Sequence, residues 1–434
     1  MSLKFEPSPA GKLLKKRCIC FAELVEFSLK SDYNFHNMLF EERKNAMLDF
    51  EFYLPTRIWF GKNTLAKLAE SIRNHGGTKL LLVYGKGSIK RTGLYDEVVS
   101  ILKDNKLEFV ELAGVDPNPR ISTVRKGAEL CRRNGLDFIL AVGGGSVIDC
   151  SKCIAAAAVY DGDPWDFCTG RAWVQKALPL GTVLTIAATG SEMNDGGVIT
   201  NEETKEKIGM GGDLLYPKFS ILDPAYTFTV SREQTAAGVI DIMTHVYEFY
   251  FSRADSSYLQ NRLSEAILQT CVKYGPVAYH SPEDYEARAN LMWASSMALN
   301  GVICQGLVFD GFNHLTEHAV SAIYDITHGI GLSILVTHWM EYVLDGDTLH
   351  KFVEYAGNVW GIHGKDDRTA ALEGIRRTRD FLRSIGLPTS FSEIGIDDSR
   401  FDEIIEKAFI WGDTLGQFKK LSKQDAANIL KAAL

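Results

Sequence analysis

The feature that most limits the fold is a change of periodicity partway along the chain. Apolar runs rich in β-formers recur at 79–84, 109–112, 138–142, 182–186 and 219–222, and helical patterns separate several of them, at 94–103, 124–134 and 147–159. Strands that alternate with helices imply βαβ units and a mainly parallel sheet, with ligands beyond the carboxyl ends of the strands. The run 138–142 is apolar at every position, which predicts a central strand covered on both faces. Beyond Asp223-Pro224 the strand signal stops, and helices are expected at 234–250, 259–274, 287–300 and 313–323. The chain thus divides near residue 229, into an α/β domain over 47–228 and an all-α domain over 229–434. A cleft between two such domains is the default place for a ligand.

A chain of 434 residues, 46% apolar and 24% charged, can bury two cores and is neither disordered nor fibrous. The formal net charge is −8, and no long Lys/Arg run offers a surface for nucleic acid. No apolar stretch reaches the roughly 18 residues of a membrane span. Eight scattered cysteines suit a reducing cytoplasm better than a secreted disulfide framework. Cys150 and Cys153 form a CxxC without a second one, and read as small helix residues. Residues 1–46 stand apart. Lys12, Lys15, Lys16 and Arg17 precede a short apolar run at 18–24, but Glu23 and Glu26 interrupt it and no cleavage site follows, so a signal peptide is not expected. This segment reads as an appendage without assigned function.

Between the third apolar run and the next helix lies Ala141-Val142-Gly143-Gly144-Gly145-Ser146-Val147-Ile148-Asp149. Three glycines let a backbone approach a ligand closely, and the helix start beyond them offers unpaired N–H groups to a pyrophosphate. Ser146 is placed to cap that helix or to bond a phosphate oxygen, and Lys152 to reach Asp149 and stiffen the loop. The segment matches neither GxGxxG nor the P-loop GxxxxGK. A second turn, Ala188-Thr189-Gly190-Ser191-Glu192, follows the run at 182–186 and is a weaker candidate for the same ligand.

Six of the ten histidines fall between His245 and His338. Asp241 and His245 are four residues apart on an expected helix, as are His314 and His318, and His328 follows ten residues on. One carboxylate and three imidazoles make a four-donor site for Zn²⁺ or Fe²⁺. The stretch His314-Leu315-Thr316-Glu317-His318 also matches HxxEH, a metalloprotease pattern with Glu317 as general base. That reading leaves Asp241, His245 and the glycine turn without a role.

Further spaced motifs accompany these. They are Leu54-Pro55-Thr56 with Phe60-Gly61, Asp116-Pro117-Asn118-Pro119, Leu222-Asp223-Pro224, Gly238 ahead of Asp241, and Gly329 after His328. In this order, and from about Met47 to the C-terminus, the chain resembles the iron-containing (group III) alcohol dehydrogenases, and among them the NADPH-dependent butanol dehydrogenase and aldehyde reductase branch. The resemblance implies a dehydroquinate synthase-like architecture: an α/β nucleotide-binding domain followed by an all-α metal-binding domain. It implies Asp241, His245, His314 and His328 as metal ligands, with His318 facing the nicotinamide as a proton-transfer candidate. Gly143, Gly144, Gly145 and Ser146 would hold the pyrophosphate, with Asp149 beside them, while Thr185 and Thr189 line the cleft and Lys207 lies near the ribose. Where NAD-preferring relatives carry an aspartate after the first long strand, this chain has Gly85, with Lys86, Ser88 and Lys90 close by. That composition suits a 2′-phosphate, so NADP(H) is expected over NAD(H).

The chemistry implied is reversible hydride transfer between short-chain primary alcohols and aldehydes, assisted by Fe²⁺ or Zn²⁺, in a cytoplasmic homodimer. Trp165, Phe167, Phe309 and Phe312 are candidates for an apolar substrate pocket. Glycerol dehydrogenase and dehydroquinate synthase share the architecture but typically use three protein ligands, so the fourth candidate donor favours the alcohol dehydrogenase.

Overall fold

The computed structural model describes residues 47–434 except residue 255. The appendage at 1–46 lies outside the described residues. A six-stranded sheet forms the first half, built from β1 (Arg57–Phe60), β2 (Lys79–Gly85), β3 (Glu108–Val115), β4 (Phe138–Gly143), β5 (Leu180–Leu184) and β8 (Phe219–Leu222). Its order is β1-β8-β5-β4-β2-β3, and every pairing is parallel. Successive side chains of a strand point to opposite faces. Accordingly Ile139 and Ala141 of β4 join one core while Phe138, Leu140 and Val142 join another across the sheet. The whole of β4 is buried, as its unbroken apolar run requires.

Helices α1 (Leu68–Asn74), α2 (Leu94–Asp104), α3 (Ile121–Asn134) and α4 (Gly145–Ala157) connect the strands. An antiparallel hairpin, β6 (Gly196–Asn201) with β7 (Glu206–Gly211), projects from the sheet and pairs Thr200 with Lys207. Sequence reading missed β1. It has only four residues, occupies the sheet edge and is half exposed, so its apolar pattern is weak.

The second half is helical: α5 (Arg232–Tyr250), α6 (Tyr258–His280), α7 (Tyr285–Ala298), α8 (Phe312–Tyr324), α9 (His328–Val343), α10 (Leu349–Trp360), α11 (Asp367–Ser384), α12 (Phe401–Ala408) and α13 (Lys423–Ala432). Caps mark several starts: Ser231 accepts from Gln234 N–H before α5, and Asp284 accepts from Ala287 N–H before α7. The expected end of α6 at residue 274 is too early, because the helix runs through Pro276 to His280. Gly275 and Ala278 are buried there, so packing outweighs the local cost of proline. A two-residue hairpin, β9 (Thr414–Leu415) with β10 (Leu421–Ser422), interrupts the helices and was not expected. Phe251 sits at the centre of this core, with ring centroids 4.7 Å from Phe352 and 5.7 Å from both Trp339 and Phe418.

A candidate metal centre beside a glycine cradle

Helix α5 presents Asp241 and His245 from one face, α8 supplies His314, and α9 begins with His328. Their donor atoms converge on one carboxylate oxygen. Asp241 Oδ1 lies 3.4 Å from His245 Nδ1, 3.8 Å from His314 Nε2 and 3.7 Å from His328 Nε2. Donors about 2.1 Å from a tetrahedral ion are about 3.4 Å apart, so the set is close to the spacing a divalent cation needs. Asp241 Oδ1 and His245 Nδ1 are also buried and make no hydrogen bond among the described residues. Such atoms are costly to bury unless something compensates them. The residues fit a metal ion.

Electrostatics favour a cation here too. Burial opposes ionisation of Asp241, but His245, His314 and His328 outweigh it and hold the carboxyl down at about 2. Burial lowers His245 to about 4, which keeps it a neutral donor. His314 behaves differently: burial is outweighed by Glu248 and Asp241, which push it up to about 10. A cation held by His314 Nε2 would take the place of the proton there, while Nδ1–H stays on Glu248.

Each of two further ligand candidates is backed by a buried carboxylate. Glu248 Oε2 accepts from His314 Nδ1 at 2.8 Å, and Oε1 accepts from the His314 backbone N–H at 3.0 Å. Glu317 bonds His328 Nδ1 and also accepts from Ser321 Oγ. Lys207 Nζ lies 3.5 Å from both Glu317 Oε2 and His328 Nδ1. Glu317, His318 and His328 form a second group of ligating side chains, but the ammonium of Lys207 already stands beside it. Glu317 is therefore engaged by three neighbours, which removes it from the general-base role of the HxxEH reading. The role of Glu248 escaped sequence reading; its only trace is a glutamate three residues after His245.

His318 lines the same cavity, 5.5 Å ring to ring from His328 and 6.3 Å from His314. Burial, reinforced by Lys207, pushes its pKa well below the usual histidine range. The cavity, about 120 Å³, takes Ser146, Thr189 and Lys207 from the sheet half and the four candidate ligands from the helical half. Phe249, Ile303, Cys304 and Phe309 give it an apolar wall. Of the aromatic residues singled out, Phe309 alone lines it. Trp165 and Phe167 pack in the core of the sheet half and Phe312 in that of the helical half, while Phe249 was overlooked.

The loops after β4 and β5 lie side by side. Thr185 N–H donates to Gly143 O at 3.0 Å, and Gly144 caps α4. Gly145 has no room for a side chain, since a Cβ there would run into Thr189. The Asp149 carboxylate accepts from Ser191 Oγ at 2.6 Å and from Val198 N–H at 3.0 Å. Both oxygens join loops, so Asp149 braces the cradle while also lining the cavity. Lys152, fully buried, acts on Asp149 through its charge, and donates to Asn194 Oδ1 at 2.7 Å and Gly196 O at 2.6 Å. Gly85, Ser88 and Lys90 lie at the end of β2 and are not among the residues lining the cavity. Cys150 and Cys153 are fully buried, burial pushes both thiols well up, and they join no ligating group among the described residues.

The two halves are tied at the start of α9. Arg120 Nη2 contacts both Asp325 oxygens, at 2.7 and 2.8 Å, and Asn118 Nδ2 donates to Asp325 Oδ1 at 3.2 Å.

Comparison with known proteins identifies the family. The iron-containing alcohol dehydrogenase model matches residues 55–224, and the C-terminal model of the same family matches 235–434. The chain is 50% identical to an NADH-dependent butanol dehydrogenase A of Clostridium acetobutylicum, covering 89% of this chain and 99% of that one. It is 38% identical to the NADPH-dependent aldehyde reductase YqhD of Escherichia coli, covering 89% and 100%. Among solved structures, a butanol dehydrogenase A from Thermotoga maritima superposes with a TM-score of 0.87 at 41% identity, covering 90% of this chain and 99% of that one. The chain belongs to the iron-containing alcohol dehydrogenase family and is a nicotinamide-dependent oxidoreductase of alcohols and aldehydes.

Proposed function

We propose that this enzyme interconverts short-chain primary alcohols and aldehydes with NADP(H), using Asp241, His245, His314 and His328 to hold one Fe²⁺ or Zn²⁺. The observation that carries the reading is the convergence of three imidazole nitrogens on Asp241 Oδ1, in a cavity that Ser146, directly after the three glycines, also lines. The ion, when bound, supplies a Lewis acid for the substrate oxygen, and the nicotinamide supplies or accepts hydride. The donor set suits either metal.

The chain's own side chains do the rest. Phe249, Ile303 and Phe309 receive an apolar chain and exclude water from beside the ligands. His318, kept neutral by burial, passes a proton between its two nitrogens and the cavity. Ser146, the amides after Gly144 and the Thr189 hydroxyl hold the pyrophosphate. Lys207 faces the ribose.

For the cofactor, the reading rests on charge at the end of β2. Gly85 leaves no carboxylate to repel a 2′-phosphate. The neighbouring acids are already engaged: Asp116 pairs with Lys86 at 2.5 Å, and Glu111 accepts from Tyr84 and Tyr95 at 2.5 and 2.8 Å. Lys90 is exposed and lies over the Tyr84 and Tyr95 rings, at 5.1 and 4.4 Å, where a phosphate would compete with those rings for its charge. The relatives carry both cofactors in their names, NADH for the butanol dehydrogenases and NADPH for the aldehyde reductase. Steady-state turnover of butanal with each nucleotide tests the proposal. We expect kcat/KM at least about tenfold higher with NADPH, and Lys90→Ala to remove about tenfold of that advantage, worth about 1.4 kcal/mol. A tenfold preference for NADH overturns the cofactor assignment. Oxidation of neither nucleotide overturns the substrate.

A further inference from the structure

We propose that Glu317 is a positioning residue whose buried carboxylate turns His328 toward the metal centre and offsets the Lys207 ammonium that reaches this centre from the opposite half of the molecule. The inference rests on the metal reading above.

Three contacts support it. Glu317 is fully buried, and one oxygen bonds His328 Nδ1, which leaves Nε2 as the nitrogen facing Asp241. The other oxygen accepts from Ser321 Oγ one turn along α8, which fixes the carboxylate plane. Lys207, on β7 and with its side chain only 5% exposed, brings a positive charge to 3.5 Å from Glu317 and from His328 Nδ1. A buried ammonium beside a dication is unfavourable unless a negative group stands near both. Glu317 is that group. The fold makes room for it at Gly331, where a Cβ would come within 2.7 Å of Glu317 Cγ. Glu248 does only the first of these tasks: it contacts His314 within the helical half and, among the described residues, no cationic side chain of the sheet half is paired with it.

A carboxylate that merely fills space and one that orients and offsets charge differ in how their variants combine. The test measures Zn²⁺ affinity of metal-stripped full-length protein by competition with a chromophoric chelator, with circular dichroism checking that each variant is folded. Glu317→Ala should raise the zinc Kd about 10–100-fold. Glu317→Gln, which keeps an acceptor for His328, should lose less. The deciding variant is Glu317→Ala with Lys207→Met. Removing the uncompensated ammonium should recover at least about fivefold of the lost affinity, whereas Lys207→Met alone should not weaken zinc. The inference is overturned if both Glu317 variants bind zinc within about twofold of wild type, or if the double variant shows no recovery. A wild-type chain that takes up no zinc overturns the metal reading, and this inference with it.

Discussion

His314→Ala will bind no metal at stoichiometric concentration and will lose at least about 10³-fold in kcat, whereas His318→Ala will retain one metal ion and lose about 10²-fold. The contrast follows from where the two imidazoles stand on α8. His314 Nε2 is one of the donors gathered around Asp241 Oδ1, and Glu248 fixes its other nitrogen. A Lewis acid at a developing alkoxide is worth several kcal/mol, and about 4 kcal/mol corresponds to about 10³-fold. His318 lines the cavity without standing among those donors, and a proton carrier of this kind typically contributes 10²-fold or somewhat more. Because His314→Ala also strands the buried Glu248 carboxylate, Asp241→Asn provides a second variant that preserves side-chain size. Metal content and kcat measured on the same samples decide the assignment. Complete metal loss in His318→Ala would exchange the two roles.

The second large effect is expected at the cradle. Gly145→Val should raise KM for the nucleotide about 10²-fold while leaving metal content unchanged. Any side chain at Gly145 meets Thr189 from the neighbouring loop, so the two loops that form the cleft floor must part. A displacement of about 1 Å in a positioning element costs on the order of 10²-fold. The collision is specific, which makes it reversible in principle: Gly145→Ala combined with Thr189→Gly should recover most of the affinity that Gly145→Ala alone removes. Equal nucleotide affinity in Gly145→Val and wild type would show that the phosphates bind elsewhere.

Part of this site could be read from spacing, where its elements are local, while the division of roles among His314, His318 and His328 comes from the family resemblance. Asp241 and His245 share a helix face by their separation of four, and the strand–glycine–helix passage at 138–149 announces itself through an apolar run followed by three glycines. What escaped depends on contacts between distant segments. Glu248 looks like an ordinary helix glutamate, and Glu317 stands out only through the HxxEH pattern, until α5, α8 and α9 are packed together. Sequence places Asp149 beside the glycines, but its bonds to Ser191 and Val198, more than forty residues away, show only once the loops are packed. The aromatic wall failed for the same reason, since nothing local separates Phe309 in the cavity from Phe312 in the core, three residues on. Short edge elements such as β1 and the β9–β10 hairpin carry too few residues for periodicity to show.

The central claim is that hydride transfer depends on an ion held by Asp241, His245, His314 and His328. Its most direct test follows NADPH absorbance with butanal while metal is stripped by a chelator and then returned as Fe²⁺ or Zn²⁺. The account predicts that turnover vanishes with the metal and returns fully at one equivalent per chain. Undiminished turnover in protein shown to be free of metal would contradict it.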